Sequence, residues 1–436
     1  MMPDARLRRS IMPKSCFDRM APLAASLALG FCLAGCASSG APARVNPEGV
    51  YSFWPLPPDE PRIQFVKSFR SSFDVHEKRQ GGFESMIFGA ESEAESAIDK
   101  PYGVEIKNGR IYVCDIRRPA LTVLDIATGQ MRLIGVQGVN RLANPVDVAV
   151  ADDGYLYVAD NERNAIVVFN PQERYETAFG RQGMRPVSVA VHGERLYVCD
   201  LQGQRVEIMN RRTGEKIGEF GRAGDGDGEF RVPLGVDVDR QGFVYVSDMM
   251  RSRMQKFTPD GEYLAGFGEV GDFAGSFARP KQIAVDSDGI IYVIDAAFQN
   301  VQMFNDEFAL LMSFGSAGDY PGAMNLPVGV AVSDEGVELF KDQIHPGFDA
   351  FRLIVVTNQF GPRKVAVYAL GMRRQGWSVA QLNASSQAQA GVGINQEIAP
   401  LQDPGTVPPD TEEPGPSPPP PTGAPPEDGG ERASVG

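Results

Sequence analysis

Histidine is almost missing from this chain: His76, His192 and His345 are the only three in 436 residues. A histidine-rich metal centre has few donors to draw on, and no Ser, His and Asp set can be assembled at a usable spacing. Cysteine is scarce in the same way. Of five, Cys16, Cys32 and Cys36 crowd into the first 36 positions, and only Cys114 and Cys199 lie beyond. No CxxC or CxxCH occurs, so neither a thiolate metal cluster nor covalently attached c-type haem is indicated. Long apolar runs are missing too. The most apolar stretch, Ala21 to Gly35, has about 15 residues where a bilayer-spanning helix needs ~20. Positive charge is in deficit, with 42 Lys and Arg against 56 Asp and Glu and a formal net charge of -14. Setting aside the five basic and two acidic residues of positions 1–36 leaves 37 against 54. That surplus disfavours nucleic acid and anionic membrane surfaces as partners.

What is present begins with a leader. Arg6, Arg8, Arg9, Lys14 and Arg19 precede the uncharged run, which ends in Leu33-Ala34-Gly35-Cys36. This pattern resembles the signal peptide and lipobox of bacterial lipoproteins. The resemblance implies cleavage after residue 35, acylation of Cys36 and a durable anchor of several acyl chains. Ala37 stands where Asp would favour retention at the inner membrane, which points to the outer membrane. Met12 and Met20 are alternative starts. Residues 36–61 then read as a tether, with Trp54 to Pro61 as a rigid, polyproline-like lead-in.

The body is repetitive. Ile111-Tyr-Val-Cys-Asp115, Leu156-Tyr-Val-Ala-Asp160, Leu196-Tyr-Val-Cys-Asp200, Val244-Tyr-Val-Ser-Asp248 and Ile291-Tyr-Val-Ile-Asp295 recur, and Leu353-Ile-Val-Val-Thr-Asn358 is a weaker sixth copy. Each is preceded by a proline and an alternating apolar strand, at Pro101, Pro145, Pro186, Pro233, Pro280 and Pro327. A third strand and a fourth ending in Phe-Gly follow in most copies, as at Phe220-Gly221. Four short strands per unit, punctuated by Gly, Asp and Asn turns, predict a propeller blade, and six units predict six blades. Arg62 to Phe69 is a strand with no unit of its own. It is expected to close the ring by pairing outside Lys364 to Tyr368, with Gly376 to Ala380 as the alternative outer strand.

Together the repeated motifs resemble the NHL-repeat family over residues 99–370, which implies an all-β, six-bladed β-propeller closed by an N-terminal strand. The expected organisation is a signal peptide over 1–35, a lipidated tether over 36–61, a propeller over 62–381 with closing strand 62–69 and linker 70–98, and a Pro-rich tail over 382–436. The tail composition cannot bury enough apolar surface to order itself, so it is read as disordered.

Chemistry in such a ring sits at the axis or on the loop face. Two positions after each proline stand Gly103, Asp147, Ser188, Gly235, Gln282 and Gly329. Asp147, Ser188, Gln282 and the adjacent Lys281 are therefore candidate channel lining. Three glycines and one carboxylate do not make a ring of hard oxygen ligands. On the rim after the second strands, Arg117, Arg118, Asn161, Arg163, Arg251 and Arg253 are candidates for a binding face. The repeated aspartates are expected to accept hydrogen bonds from turn amides rather than to catalyse, because a residue needed once per blade solves a structural problem. Cys114 and Cys199 fall in blades that do not adjoin, so buried free thiols are expected. Gly224 to Phe230 looks like a calcium loop but lacks EF-hand spacing. The insertion Gly336 to Arg352, with Phe340, Phe348 and Phe351, is expected to cap the propeller.

The family resemblance includes channel enzymes, such as lyases that hold zinc through histidines and gluconolactonase-like propellers that hold calcium. Here no histidine triad is legible, and Glu105 with Asp147 is a thin start for a calcium site. The reading is a non-catalytic, lipid-anchored scaffold that binds other envelope proteins or a ligand, with no resident cofactor. A metal-dependent lyase or lactonase using calcium or zinc in the channel is the rival.

Overall fold

The computed structural model describes residues 51–56, 58–75 and 97–384. The leader, Cys36, His76, most of the 70–98 linker and the tail after 384 lie outside the described residues.

All six repeat prolines begin an innermost strand, the position where a missing N–H and a fixed φ cost least. In every blade that proline lies opposite the signature residue ending the second strand: Pro101 with Asp115, Pro145 with Asp160, Pro186 with Asp200, Pro233 with Asp248, Pro280 with Asp295, Pro327 with Asn358. The two most regular marks of the repeat are thus one structural unit. The carboxylate stitches three segments together. In blade 5, Asp295 accepts from the amides of Ala278 at 2.7 Å and Arg279 at 2.9 Å, before the proline. It also accepts from Ala297 at 2.8 Å and Phe298 at 3.0 Å, in the turn to the third strand. Asp115 does the same with Asp99, Lys100, Arg117 and Arg118. The turn amides were expected; those ahead of the proline were not.

Five sheets have four strands and one has five. The closing strand, Ile63–Phe69, pairs antiparallel with Val365–Arg373, the third strand of blade 6, with Phe69 opposite Val365 and Ile63 opposite Leu370. This is the closure expected from sequence. The alternative outer strand, Gly376 to Ala380, is instead irregular chain whose last two residues begin a short helix, Val379–Ala384. The lead-in departs from the polyproline expectation. Phe53–Trp54 adds a fifth strand beyond the closing one, and the amide of Arg62 donates to the carbonyl of Trp54 at 2.7 Å, turning the segment back as a hairpin. The reason is aromatic burial. Trp54 packs edge-on against Tyr368, and Phe53 against Phe348 and His345.

Each blade–blade interface holds its own apolar core. Between blades 1 and 2, for example, Cys114, Leu121 and Val123 meet Val148, Leu156 and Val167. The closing strand serves two interfaces at once. Ile63 and Phe65 join the core between blades 5 and 6, while Val66 and Phe69 join the one between blades 6 and 1. Cys114 and Cys199 are buried, unpaired thiols, and burial pushes both well above the ordinary thiol range. In the blade-6 insertion, Phe340 and Phe348 are buried in the core between blades 6 and 1, so it caps that seam; Phe351 stays exposed.

Phe65→Ala is expected to lower unfolding stability by about 3–5 kcal/mol in equilibrium denaturation; a loss below about 1 kcal/mol would mean that the closing strand carries little of the ring. Asp295→Ala strips an acceptor from four amides and is expected to cost at least about 3 kcal/mol in the same assay.

Candidate functional site

The innermost strands adjoin in ring order, blade 1 to blade 6 and back, so blades 1 and 4, and blades 2 and 5, face each other across the axis. A strand turns every second residue to the same side, so two successive tiers of side chains approach the axis. The upper tier is Gly103, Asp147, Ser188, Gly235, Gln282 and Gly329. Its glycines are required by close approach. A Cβ on Gly103 would sit 2.6 Å from the Asp147 Cα, one on Gly235 2.9 Å from the Gln282 Cα, and one on Gly329 2.4 Å from the carbonyl oxygen of Tyr102. The strands are drawn together at this level, and polar side chains fill what remains. Asp147 Oδ2 accepts from the Ser188 hydroxyl at 2.6 Å and the Val189 amide at 3.0 Å. Ser188 Oγ in turn accepts from the amide of Val236 at 3.1 Å. The Gln282 side chain hydrogen-bonds to Asp147 from the opposite blade. Its Oε1 is buried with no hydrogen-bond partner.

Below this tier lies a cavity of ≈ 300 Å³ that opens at the face carrying the turns between first and second strands. Its axial residues are Glu105, Ala149, Ala190, Asp237, Ala284 and Ala331. Glu105 and Asp237 come from facing blades, among alanines. Both are half-buried, touching the cavity on one side and protein on the others. Glu105 Oε1 accepts only from its neighbour's amide, Ile106, at 2.8 Å. Asp237 accepts from the amides of Val285 at 2.7 Å and Val238 at 2.8 Å. Burial, then the facing Asp237, pushes Glu105 up to about 8. Burial likewise raises Asp237 to about 7, with Asp147 and Asp239 adding to it. Asp147 rises to about 6 through burial, held back by the hydrogen bonds from Ser188, Val189 and Gln282. At the mouth, the buried Arg352 guanidinium binds Asp286, Asp288 at 3.0 Å and Asp334 at 2.5 Å, pinning the turns of blades 5 and 6.

Of the channel candidates, Asp147, Ser188 and Gln282 do meet at the axis. Lys281 does not line the cavity; its Nζ points to Met249 Sδ, 3.7 Å away on the loop face. Asp237 was not singled out in the sequence, although stepping two residues on from the upper tier reads it off directly. Among the described residues no group of three or more His, Cys, Asp or Glu side chains is placed to hold a metal ion. His345 is enclosed by Tyr51, Phe53 and Trp377.

The opposite, loop face carries the turns after the second strands and the links between blades. Its polar candidates are largely occupied. Arg118 donates to the carbonyl of Ala97 at 2.9 Å, Arg163 to that of Arg141 at 2.7 Å, and Arg253 to those of Gly226 at 2.7 Å and Glu229 at 2.8 Å. These three strap a turn to the segment ahead of the same blade's proline. Asn161 Oδ1 accepts from Asn144 Nδ2 at 2.8 Å. Arg251 lies 3.4 Å from Asp225, and Arg117, 72% exposed in its side chain, lies 3.4 Å from Asp99. Asp225, in the stretch that resembled a calcium loop, is hydrogen-bonded by Arg231, which with the charges of Arg231 and Arg251 draws it down to about 2. Beside these charged groups the face also exposes apolar side chains: Val136, Val139, Met250, Val270, Phe273 and Phe360.

Among protein families, the NHL repeat matches residues 142–169, the first three strands of blade 2. Among curated proteins, E3 ubiquitin-protein ligase TRIM71 of Mus musculus is 30% identical over 122 residues, 26% of this chain and 13% of that protein. The Bos taurus counterpart is 30% identical over 158 residues, 33% of this chain and 18% of that one. The chain therefore matches less than a fifth of these relatives' length. Among solved structures, a Bacteroides thetaiotaomicron protein of unknown function superposes with a TM-score of 0.50 at 17% identity, covering 71% of this chain and 75% of that one. A streptogramin B lyase gives 0.45 at 12% identity, covering 63% and 95%. The first of these likenesses speaks to fold alone.

Three carboxylates that keep protons in the folded protein but ionise near pH 4 when exposed make stability fall as pH rises. Between about pH 4 and 8 the folded state binds more protons than the unfolded one, so the slope is negative. The thermal midpoint is expected to drop from pH 5 to pH 8, and Glu105→Gln to flatten the part between pH 7 and 8. A midpoint that climbs over that range would contradict the assignment.

Proposed function

We propose that this NHL-repeat, six-bladed β-propeller works as a lipid-anchored, non-catalytic scaffold of the bacterial envelope, docking another protein on its loop face. The observation that carries this reading is the set of exposed apolar side chains spread over that face, from Val136 and Val139 between blades 1 and 2 to Phe273 between blades 4 and 5 and Phe360 in blade 6. On that face Arg118, Arg163 and Arg253 are tied to backbone carbonyls, whereas these apolar side chains stand in water, and exposed apolar patches mark interaction sites. Tethering follows from Cys36 and its lipobox, with the outer membrane as the site.

Two experiments test it. In cross-linked pull-downs from detergent-solubilised envelopes, the full chain is expected to capture the same protein repeatedly. Phe273→Ser with Phe360→Ser should lose that capture about tenfold or more, as for centrally placed aromatic contacts, with an unchanged thermal midpoint. Equal capture by both chains would remove the docking face. Cys36→Ser is expected to abolish fatty-acid labelling and release the protein to the soluble fraction; a variant that stays membrane-bound defeats the anchor.

A further inference from the structure

The residues just ahead of the six repeat prolines stand at equivalent places around the axis, where the innermost strands begin on the loop face. In every blade the carbonyl of that residue accepts from the amide after the signature residue: Lys100 from Ile116, Arg185 from Leu201, Arg279 from Ala296, and likewise in the other three. Around the ring they read Lys100, Asn144, Arg185, Val232, Arg279 and Leu326. Blades 1, 3 and 5 thus put a cation at every second position of this inner rim. The acids beside it are Asp99, 3.4 Å from Arg117, and the exposed Glu162 of blade 2. At the other end of the same strands, the turns between first and second strands carry Asp152, Asp239, Asp288, Asp334 and Glu335. In a chain of net charge -14, cations gather at one end of the axis and acids at the other.

The fold makes little use of these cations. Arg185 and Arg279 are exposed, and among the described residues neither has an ion pair or a side-chain hydrogen bond. Lys100 lies over the Phe360 ring, 6.0 Å from its centroid. Lys281, one residue past Pro280, is half-buried. Its Nζ meets Met249 Sδ at 3.7 Å, and burial, with the nearby Arg279 charge, draws it below the ordinary lysine range. An ammonium partly withdrawn from water beside a like charge gains from an arriving carboxylate, which supplies both a counter-charge and hydrogen-bond acceptors. On either side of blade 5 the rim is apolar. Val232 and the exposed Met250 stand in blade 4, Leu326 and the exposed Phe360 in blade 6.

Taking the loop face as the docking surface proposed above, we infer that its centre receives an acidic segment of the docked protein, carboxylates meeting Arg185, Arg279 and Lys281 and apolar side chains lying on Met250 and Phe360. Complementary charge of this kind sets the register of a partner and speeds its approach. A single segment suits the centre better than a broad polyanion does. The links between blades run from an outermost strand to the next innermost one, and two of them carry the exposed Asp225, Asp227 and Asp272. An anionic bilayer or a nucleic acid laid across the face meets those carboxylates, whereas a narrow segment reaches the inner rim without them.

Fluorescence anisotropy of the full chain with a labelled peptide, Gly-Asp-Phe-Glu-Phe-Asp-Gly, tests this. One saturable site is expected, weakened several-fold as salt rises from about 50 to about 300 mM. The counterpart with Asn and Gln in place of Asp and Glu should bind at least about tenfold more weakly. Arg185→Glu with Arg279→Glu should weaken binding about tenfold or more and Lys281→Met about threefold or more, while Arg240→Ala on the turn face should not. Thermal midpoints equal to the parent's separate lost binding from lost fold, and Arg185→Gln with Arg279→Gln serves if reversal disturbs it. In the envelope pull-downs the arginine pair should lower capture as Phe273→Ser with Phe360→Ser does. Capture lost with the phenylalanine pair but untouched by the arginine pair overturns the acidic segment and leaves the docking face standing; capture untouched by either removes both. No saturable peptide binding, equal binding of the amide counterpart, or tighter binding of a short oligouridylate or of phosphatidylglycerol vesicles would likewise overturn the inference.

Discussion

A four-stranded sheet of five- and six-residue strands has two faces to bury and cannot bury either alone. In this protein each face is covered by the next sheet around the ring, so every blade depends on its two neighbours for burial. The closing strand, Ile63–Phe69, is therefore the element on which the others depend. Phe65 and Ile63 seal one neighbouring interface, and Val66 and Phe69 seal the other. The fifth strand, Phe53–Trp54, pairs with Ile63 and Gln64 and so covers one end of the edge that closure would otherwise leave exposed.

The repeated Pro and Asp serve the same end at smaller scale. A blade must stop one strand, turn, and start the next within a few residues, and the backbone amides exposed there need acceptors. One buried carboxylate answers up to four of them, in the turn after the second strand and in the segment just ahead of the first. This is why the aspartate recurs where the proline recurs, and why its repetition argues structure rather than catalysis. Where blade 6 substitutes Asn358, its Oδ1 still accepts from the amide of Asn325 and its Nδ2 donates to the carbonyl of Arg363.

Closing the ring divides the molecule into two unlike faces. The loop face spends Arg118, Arg163 and Arg253 on holding segments together and exposes apolar side chains. The turn face opens on a small acidic cavity where burial raises Glu105, Asp237 and Asp147 above the ordinary carboxylate range.

Strand positions, blade number, the closing segment and the unpaired state of Cys114 and Cys199 were legible in the sequence, because alternation, turn residues and repeat spacing are local marks of a strand and its ends. The axial residues were half legible. Asp147, Ser188 and Gln282 could be placed by counting from the prolines, yet Lys281 turned to the loop face and Asp237 passed unnoticed. The arginines of the rim looked like a binding surface because exposure is read from residue type, while the bonds of Arg118, Arg163 and Arg253 run to carbonyls that sequence does not locate. Which blades stand opposite, how closely Gly103, Gly235 and Gly329 let the inner strands approach, and hence that Glu105 faces Asp237, were decided only by the tertiary structure. Distances across an axis depend on the whole ring being closed, and no single repeat carries that information.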